Sequence, residues 1–478
     1  MAGQKGRRNV VVLLLDTMRA SALAEPGLHN INRIARKGTV YTNAVAPGTW
    51  TAPSHASLFT DSPVSKIGSV SKDFFTSGTR SIDPWMVKTR FLHDDAKTLA
   101  KDISALDYQT SLFSNNPFLT SFTNLGAGFE HIEDIWLNSN LKYNRGLVNK
   151  LSGIINGGAS ARENMFKTSY YMTRLLPPAV LDWLYLELRR RLNEGVCEAD
   201  GTYKLDRGAK DTHAAIENYL DRKYDYRPQF MFVNYIEAHE NYPVSKRKDI
   251  LQDKWMYLSG NREMDEDTSK ELYRGYLKRL RYLDGRIGRT LEMMRSKGIL
   301  DNATVVITSD HGQMFGEHGM LYHSVRPYEG VAKVPLIAAN YTDGKISGEA
   351  EVEERPVSLR SLNSSLVNLA NGTFSYLNGN LRKERYVMSE HMGIAEGWDA
   401  DFLRMLKSRS KSAMAIYDAK SRCNSRVTAV YKGNLKLVHH FGQAKDELYD
   451  IQKDPSETNN IVDAKRDAAL ELSRAVSG

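Results

Sequence analysis

Short apolar runs alternate along the chain with longer segments whose apolar residues recur at helical spacing. The clearest apolar runs are Asn9–Leu15, Thr110–Phe113, Gln229–Tyr235, Ala303–Thr308 and Val334–Ala338. Their nearly continuous hydrophobicity is typical of strands that are buried on both faces of a sheet. Strands that alternate with helices form βαβ units. The pattern therefore predicts an α/β fold with a mostly parallel central sheet flanked by helices.

The section between about residues 135 and 223 has a different character. Leu175–Leu192 predicts an amphipathic helix that begins near a proline pair, with Gly- and Asn-rich loops on either side. Further helices are predicted over Asp211–Arg222 and, beyond this section, over Lys270–Lys297. We interpret residues 135–223 as a helical insertion in the main domain.

After about Phe374 the pattern changes to shorter, alternating strands. Arg426–Tyr431 and Asn434–His440 are separated by Lys432-Gly433, which is a two-residue hairpin signal. A last helix is predicted from about residue 464 to residue 475. We therefore predict a main α/β domain over residues 1–375 and a small C-terminal α+β subdomain with an antiparallel sheet over residues 376–478.

Composition and charge exclude several classes of protein. The chain has 478 residues, 41% of them hydrophobic, which is ordinary for a globular protein, and no apolar stretch is long enough to span a membrane. Its net charge of +8 is mild and scattered, and with no recognisable module for nucleic acid we expect no such partner. Two cysteines, Cys197 and Cys423, exclude a disulfide framework and argue against a Cys-based zinc site. One bridge between them stays open, although a reducing compartment suits the chain better.

The first residues imitate a secretory signal peptide without matching it. Basic residues at positions 5–8 precede Val10–Leu15, an apolar run of six residues that Asp16 and Arg19 interrupt. A signal peptide has a longer apolar region followed by a small-residue cleavage site. We interpret the run as the first strand and expect a cytoplasmic protein.

Polar, metal-competent side chains follow three of the predicted strands. Asp16 follows the first strand, Glu237 and His239 follow the third, and Asp310 and His311 follow the fourth. In open α/β sheets, ligands bind outside the carboxyl ends of the strands. Carboxylates and imidazoles that converge on one edge can hold a divalent cation. The sequence therefore predicts a metal site at this edge.

The segment Gly48–Thr60 is a further candidate for a functional site, and its sequence predicts a short helix. Thr51 or Ala52 is placed at the helix N-cap, with Pro53 in the first turn. A helix N-terminus favours a phosphate or sulfate group, and a metal-bound hydroxyl at this point would be an activated nucleophile. The alternative is that Thr51 only caps the helix.

Together these segments resemble a known family. The chain is similar, over nearly its whole length and in the same order, to the sulfatase branch of the alkaline phosphatase superfamily. The resemblance predicts the fold of that superfamily, with residues 1–375 as its catalytic domain. The matching segments are Asn9–Arg19, Thr51–Asp61, Tyr282–Asp284 with Thr308–Gly319, Tyr328–Leu336 and Glu447–Ile461.

The resemblance implies a cofactor and a nucleophile. Asp16, Asp310 and His311 match the ligands of a divalent metal ion (Ca²⁺, Mg²⁺, Mn²⁺ or Zn²⁺), and Thr51 takes the position of the nucleophile, which also binds the metal. Whether one metal or two are bound stays open at this point.

The resemblance also implies residues that act on an anionic ester substrate. His239 matches a histidine that contacts the anionic group or a second metal, and His323 is expected to assist catalysis beside it. His55 replaces the arginine of the family signature and is expected, with Arg326 and His318, to bind substrate.

Two departures from the family pattern bear on the reaction. Thr17 stands where sulfatases often carry a second carboxylate, and Thr51 stands where formylglycine forms from Cys or Ser. Threonine nucleophiles are used by phosphodiesterases and phosphoglycerol transferases of the superfamily. We therefore expect a metal-dependent hydrolase or transferase of phosphate, phosphonate or sulfate esters, with phosphoryl chemistry preferred. The alternatives are a sulfatase that uses unmodified Thr51, and an inactive pseudo-enzyme that binds an anion or a partner.

Overall fold

The structure of the protein is a computed structural model. It describes residues 7–70, 91–92, 95–116, 118–120, 123–135, 205–222, 225–240, 242, 254–323, 325–373, 377, 381–393, 418, 421–442 and 444–477.

A nine-stranded sheet forms the centre of the described residues. Its order is β13-β2-β11-β7-β1-β6-β4-β5, with β12 paired to β11. The strands of this sheet are β1 (Asn9–Leu15), β2 (Thr39–Tyr41), β4 (Gln109–Ser114), β5 (His131–Asp134), β6 (Gln229–Tyr235), β7 (Asn302–Thr308), β11 (Leu336–Thr342), β12 (Lys345–Ser347) and β13 (Glu351–Glu353). Shorter strands that pair outside it are β3 (Ala44–Val45), β8 (Met314–Phe315), β9 (Leu321–Tyr322), β10 (Lys333–Val334) and β14 (Val357–Ser358).

The middle of the sheet is parallel, as the apolar runs predicted. β1 lies between β6 and β7 and pairs in parallel with both. β11 is antiparallel to β7. The predicted run Val334–Ala338 is not one strand, because Pro335 has no N–H to donate to a neighbour. Val334 instead pairs with Ala44 in a small separate sheet, and β11 begins at Leu336.

Helices cover both faces of the sheet. Alternate residues of β1 belong to two apolar clusters: Val11 and Leu13 pack with the helices of residues 29–35 and 266–296, whereas Val10 and Val12 pack with those of residues 51–60 and 362–370. Among the described residues, none of the helices combines the length and the hydrophobicity needed to cross a membrane. The helices are α1 (His29–Ala35), α2 (Thr51–Thr60), α3 (Val64–Val70), α4 (Leu99–Ser104), α5 (Ala209–Arg222), α6 (Lys254–Leu258), α7 (Glu266–Ser296), α8 (Glu329–Ala332), α9 (Leu362–Ala370) and α10 (Arg466–Ser477).

The predicted helices agree with the structure wherever it describes them. Asp211–Arg222 corresponds to α5, which begins two residues earlier, and Lys270–Lys297 corresponds to α7. The predicted helix Leu175–Leu192 and most of the proposed insertion lie outside the described residues. The insertion therefore stays a prediction.

A separate antiparallel sheet follows, in the order β15-β16-β17-β18. Its strands are β15 (Val387–His391), β16 (Val427–Lys432), β17 (Leu435–His440) and β18 (Glu447–Asp450). The hairpin turn is Gly433-Asn434, one residue later than predicted, because Gly433 supplies the positive φ (57°) that this turn requires. The predicted fold class is confirmed, whereas the boundary at residue 375 stays a prediction.

Candidate active site

The carboxyl ends of the parallel strands bring the predicted metal ligands together. Asp16 follows β1, and Asp310 and His311 follow β7, the direct neighbour of β1 in the sheet. The three residues are at most 2% exposed. The Nε2 atom of His311 lies 3.8 Å from Oδ1 of Asp16 and 3.4 Å from Oδ2 of Asp310. One ligand atom from each of the three residues lies within 4.8 Å of the other two.

The electrostatics of this cluster fit a divalent cation. Among the described residues, Oδ1 of Asp16 and Oδ2 of Asp310 are buried without a hydrogen-bond partner. Burial raises the pKa of Asp16 well above its ordinary value of 3.8, and the carboxylates of Asp310 and Glu240 raise it further. Two buried carboxylates that face one imidazole repel each other unless a cation lies between them. The oxygen and nitrogen donors therefore suit a bound metal ion.

Thr51 faces this cluster from the beginning of α2. It is the first helical residue, and the N-cap is Trp50, so the predicted N-cap position of Thr51 or Ala52 is wrong. The Oγ1 atom of Thr51 lies 3.3 Å from Nε2 of His311. Nδ1 of His311 lies 3.0 Å from the carbonyl oxygen of Gly312, which can only accept a hydrogen bond. We therefore assign the ring proton to Nδ1, which leaves the lone pair of Nε2 facing Thr51.

His55 supports the cluster from its buried side. It lies one helical turn after Thr51 and is fully buried. Its Nδ1 atom is 2.9 Å from the carbonyl oxygen of Thr51 and 3.6 Å from Oδ2 of Asp310. Burial lowers the pKa of this imidazole. His55 therefore contacts the backbone of Thr51 and the carboxylate of Asp310, and its expected contact with substrate stays a prediction.

A second cluster of His and Glu adjoins the first. Nδ1 of His239 lies 3.2 Å, and Nδ1 of His323 lies 3.5 Å, from Oε2 of Glu240. Each of these three residues also offers a metal-ligand atom within 4.8 Å of the other two. The rings of His311 and His323 are 4.4 Å apart between centroids, which places the two clusters side by side. Burial lowers the pKa of His239 to about 4, so its imidazole is neutral at pH 7.

Two arginines hold the loop that carries His239 and Glu240. Nη1 of Arg207 donates to the carbonyl oxygens of Ile236, His239 and Glu240 at 3.1, 2.8 and 3.0 Å. Nη1 of Arg279 donates to the carbonyl oxygen of His239 at 2.7 Å. Charge-assisted hydrogen bonds are stronger than neutral ones. The second cluster is therefore fixed by its backbone as well as by its side chains.

Two predicted substrate-binding residues lie toward the C-terminal sheet. Arg326 donates from Nη1 to Oγ of Ser425 at 3.1 Å. The ring of His318 stacks on Tyr328, with centroids 3.9 Å apart. These contacts do not involve either cluster, and the substrate-binding roles of Arg326 and His318 stay predictions.

Three residues of the site were missed at the sequence level. Asn116 follows β4 and donates from Nδ2 to Oδ2 of Asp16 at 2.7 Å. Oε1 of Gln313 lies 2.7 Å from Nδ1 of His323, and Glu240 joins the two histidines of the second cluster. The strand-end rule that identified Asp16 would have identified Asn116. No local signal separates Glu240 or Gln313 from ordinary surface residues.

Comparison with known proteins matches most of the chain to a protein family. A family model described as Sulfatase matches residues 8–372. A choline-sulfatase of Rhizobium meliloti (strain 1021) is 24% identical over 322 residues, which cover 61% of this chain and 58% of that protein. An arylsulfatase of Clostridium perfringens is 22% identical over 275 residues, which cover 52% of each chain. The chain therefore spans a little over half the length of these two relatives.

Solved structures show the same fold at low identity. The phosphonate monoester hydrolase of Agrobacterium radiobacter superposes with a TM-score of 0.58 at 17% identity, covering 98% of this chain and 94% of that chain. The phosphonate monoester hydrolase of Silicibacter pomeroyi gives a TM-score of 0.60 at 16% identity, with the same coverage. A structure described as BT1596, a 2-O GAG sulfatase, gives 0.64 at 15% identity, covering 98% and 91%.

Proposed function

The chain belongs to the sulfatase family, and from this premise we propose that it is a metal-dependent hydrolase or transferase of anionic esters whose nucleophile is Thr51. The observation that carries the proposal is the 3.3 Å separation between Oγ1 of Thr51 and Nε2 of His311. A threonine that merely capped its helix would turn its hydroxyl toward the helix N–H groups. This hydroxyl instead meets the group of metal-competent side chains.

The residues of the first cluster would hold the metal ion. Asp16, Asp310 and His311 would bind it, and the ion would supply Lewis-acid chemistry that lowers the pKa of the Thr51 hydroxyl and neutralises charge on the ester. The other contributions to the reaction come from the protein chain itself. The first N–H groups of α2 would orient the anionic group, because a helix N-terminus attracts negative charge. Burial of Thr51, which is 3% exposed, limits competing attack by water.

The neutral state of His239 bears on how the substrate is recognised. Its pKa of about 4 means that it carries no charge at pH 7. Its Nδ1 atom lies 3.0 Å from the carbonyl oxygen of Glu240 and therefore holds the ring proton. Nε2 is left with a lone pair, which suits a second metal ion or a substrate hydroxyl better than the oxygen of an anion.

Phosphoryl chemistry is the preferred reaction. Thr51 is not a substrate for formylglycine formation, so the usual route of sulfate release in this family is absent. The second cluster, formed by His239, Glu240 and His323, lies beside the first and offers ligands for a second ion. Paired metal sites suit in-line displacement at phosphorus, since they stabilise both the attacking and the leaving oxygen.

The reaction would proceed in two displacements. In the first, Oγ1 of Thr51 bonds to phosphorus and gives up its proton, while the ester oxygen leaves with its electron pair and takes up a proton. In the second, water or an acceptor alcohol attacks the phosphorus of the phosphothreonine. The Oγ1–P bond breaks, and Thr51 is restored. Water as acceptor gives hydrolysis, and an alcohol gives transfer.

A second candidate function is sulfate-ester hydrolysis by unmodified Thr51. It is favoured by the family match and by the two relatives described above, a choline-sulfatase and an arylsulfatase. A third is an inactive binding protein. The buried, uncompensated carboxylates of Asp16 and Asp310 argue against it, because a protein that needed no cation would gain stability by replacing one of them.

A turnover panel tests these candidates. Purified protein with added Mn²⁺, Zn²⁺, Mg²⁺ or Ca²⁺ is assayed with p-nitrophenyl phosphate, bis-p-nitrophenyl phosphate, a phenylphosphonate ester and p-nitrophenyl sulfate. We expect turnover of the diester or the phosphonate. Thr51→Ala should abolish it while metal binding persists, and Thr51→Ser should retain part of it. Thr60→Ala is the matched control, since it removes the same hydroxyl from the last residue of the same helix.

Each outcome selects one candidate. Full activity in Thr51→Ala would refute the nucleophile assignment. Preference for the sulfate ester would establish the second candidate. Absence of both turnover and metal binding would favour the inactive binding protein.

A further inference from the structure

A fully buried lysine lies where the C-terminal sheet meets the main domain. The side chain of Lys436, on β17, is 0% exposed. Its Nζ atom lies 3.0 Å from Oε1 of Glu329 and 2.6 Å from Oε1 of Glu457. Burying an ammonium group is costly unless carboxylates compensate it, and removing one partner of such a group is strongly destabilising. The cluster therefore fixes the positions of all three residues.

The three residues come from three separate segments. Glu329 begins α8 in the main domain, Lys436 lies in the C-terminal sheet, and Glu457 follows β18. The backbone N–H of Glu329 donates to Oε2 of Glu457 at 2.6 Å, and the hydroxyl of Tyr431 donates to Oε1 of Glu329 at 2.8 Å. The first turn of α8 is thus bound by the C-terminal subdomain through both its side chain and its backbone.

The same short helix contacts the loop that carries the candidate metal ligands. The N–H groups of Gly312 and Gln313 donate to the carbonyl oxygens of Val331 and Gly330, each at 2.7 Å. The approach is close: a Cβ atom on Gly312 would lie 2.2 Å from the carbonyl oxygen of Gly330. Asp310 and His311 directly precede Gly312 and Gln313, which donate these two hydrogen bonds. A displacement of α8 would therefore move the loop.

We propose that Lys436 is a positioning residue for the candidate active site, through which the C-terminal subdomain holds α8 and, with it, the loop of residues 310–313. The chain of contacts runs from the Lys436 ammonium to Glu329, along α8 to its carbonyl oxygens, and from these to Gly312 and Gln313. The importance of the loop for catalysis rests on the proposed function. The mechanical coupling does not, because it depends only on these contacts.

The charges support a fixed geometry. Burial alone would lower the pKa of Lys436, but Glu329 and Glu457 raise it, so the ammonium stays charged. Burial would likewise raise the pKa of Glu329, but Lys436 lowers it, and this carboxylate is ionised. Lys436 and Glu329 therefore form a full ion pair, whereas burial raises the pKa of Glu457 to about 7. An ion pair without solvent has few alternative arrangements. A buried ion pair therefore holds the segments that carry it in place more firmly than a surface pair would.

Hydrogen exchange in the 478-residue chain tests the coupling directly. Lys436→Met keeps the length of the side chain but removes its charge. We expect at least 10-fold faster exchange of the Gly312 and Gln313 amides, measured by mass spectrometry on peptides that span residues 309–315. Lys432→Met is the matched control: it lies on the adjacent strand, pairs with Glu471 at the surface, and should leave this exchange unchanged.

A purely structural role gives a different result. Lys436→Met would then lower the melting temperature and speed exchange within residues 434–440, while residues 309–315 keep the wild-type rate. That outcome overturns the proposal. If Lys436→Met does not fold, Glu457→Gln replaces it, since this variant retains the Lys436–Glu329 pair. A smaller but measurable increase at residues 309–315 is then expected, and an unchanged rate overturns the proposal equally.

The consequence for the site is measured separately. Mn²⁺ titration should give at least 10-fold weaker binding in Lys436→Met, with kcat reduced more than KM is raised, and Lys436→Arg should restore most of both. Unaltered Mn²⁺ binding and kcat in Lys436→Met would overturn the link to the site. If the wild type binds no Mn²⁺ and turns over no ester, the proposed function fails, whereas the exchange result still decides the coupling.

Discussion

At the scale of single residues, the proposed chemistry depends on two carboxyl groups that the fold forces together. Asp16 and Asp310 are both buried, and each leaves one carboxylate oxygen without a hydrogen-bond partner among the described residues. Such an arrangement destabilises the metal-free fold and is relieved by a cation. If these residues hold the proposed metal ion, stability of the metal-free fold and metal binding are opposed at these two positions.

Asp310→Asn tests that opposition. We expect it to weaken Mn²⁺ binding and to lower kcat/KM on the preferred ester by about 10²–10⁴-fold, because transition-state charge is no longer neutralised. In EDTA the same variant should be at least as stable as the wild type, since the repulsion with Asp16 is removed. Isothermal titration and urea unfolding measure the two effects.

The control is Asp301→Asn, at the opposite end of β7. It should change neither property, because Asp301 is exposed and distant from the cluster. Normal Mn²⁺ affinity in Asp310→Asn would remove Asp310 from the ligand set.

A buried histidine makes the protein sensitive to acid. His391 is 1% exposed, and its Nε2 atom lies 2.9 Å from the carbonyl oxygen of Cys423. Burial lowers its pKa from 6.5 to about 4. Between these values the unfolded state binds a proton that the folded state does not, so stability falls as the pH drops below 6.5. One such group changes the free energy of unfolding by at most about 1.4 kcal/mol per pH unit.

We expect His391→Gln to flatten this dependence. Urea unfolding at pH values from 7 to 4.5 should give a shallower loss of stability in the variant than in the wild type. His29→Gln, at an exposed position, should keep the wild-type slope. Identical slopes in all three proteins would show that His391 is not the group responsible.

At the scale of elements, one long helix organises its neighbour. The N-cap of α1 is Leu28, whose side chain cannot accept a hydrogen bond. Asp284 on α7 takes over that function: Oδ2 accepts from the N–H of Asn30 at 3.0 Å, and Oδ1 accepts from the N–H of Ile31 at 2.8 Å. A carboxylate at a helix N-terminus also interacts favourably with the helix dipole. The cap of α1 thus comes from another helix.

Asp284→Ala should therefore lower the free energy of unfolding by about 1–3 kcal/mol, because two backbone N–H groups lose their acceptor. The ratio kcat/KM should stay near the wild-type value, since α1 carries no residue of either cluster. Chemical unfolding and steady-state kinetics on the same preparations measure both. Asp267→Ala, in the exposed first turn of α7, serves as the control. A drop in kcat/KM with unchanged stability would contradict this assignment.

At the scale of the whole molecule, the candidate active site joins segments that are hundreds of residues apart. Asp16 and Asp310 meet because β1 and β7 are neighbours in the sheet, and α2 presents Thr51 to His311, the residue after Asp310. A metal ion bound there would connect the ends of these strands only in the folded state. Metal binding and global stability should therefore be coupled.

We expect the melting temperature to rise with Mn²⁺ concentration and to fall in EDTA. A ligand that binds only the folded state adds about 4 kcal/mol at a concentration 1,000-fold above its Kd. Differential scanning fluorimetry across a Mn²⁺ series measures the change. Asp310→Asn should lose most of it, and equal melting temperatures with and without EDTA would contradict metal binding at this site.

Local patterns along the chain predicted the fold class and much of the composition of the candidate site. Buried parallel strands need continuous apolar runs, and Asn9–Leu15 and Gln229–Tyr235 match β1 and β6 residue for residue. Strand-end carboxylates and the order of the family motifs then indicated Asp16, Asp310 and Thr51. The family match confirms the resemblance.

The remaining features depend on contacts between distant segments. The cap that Asp284 gives to α1 and the meeting of Glu240 with two histidines leave no trace in a local pattern, whereas Pro335 is itself a local signal that interrupts a strand. The cluster around Lys436 is the clearest case, since an isolated lysine on an alternating strand reads as an exposed residue. Its burial follows from Glu329 and Glu457, which approach it only once both sheets have formed.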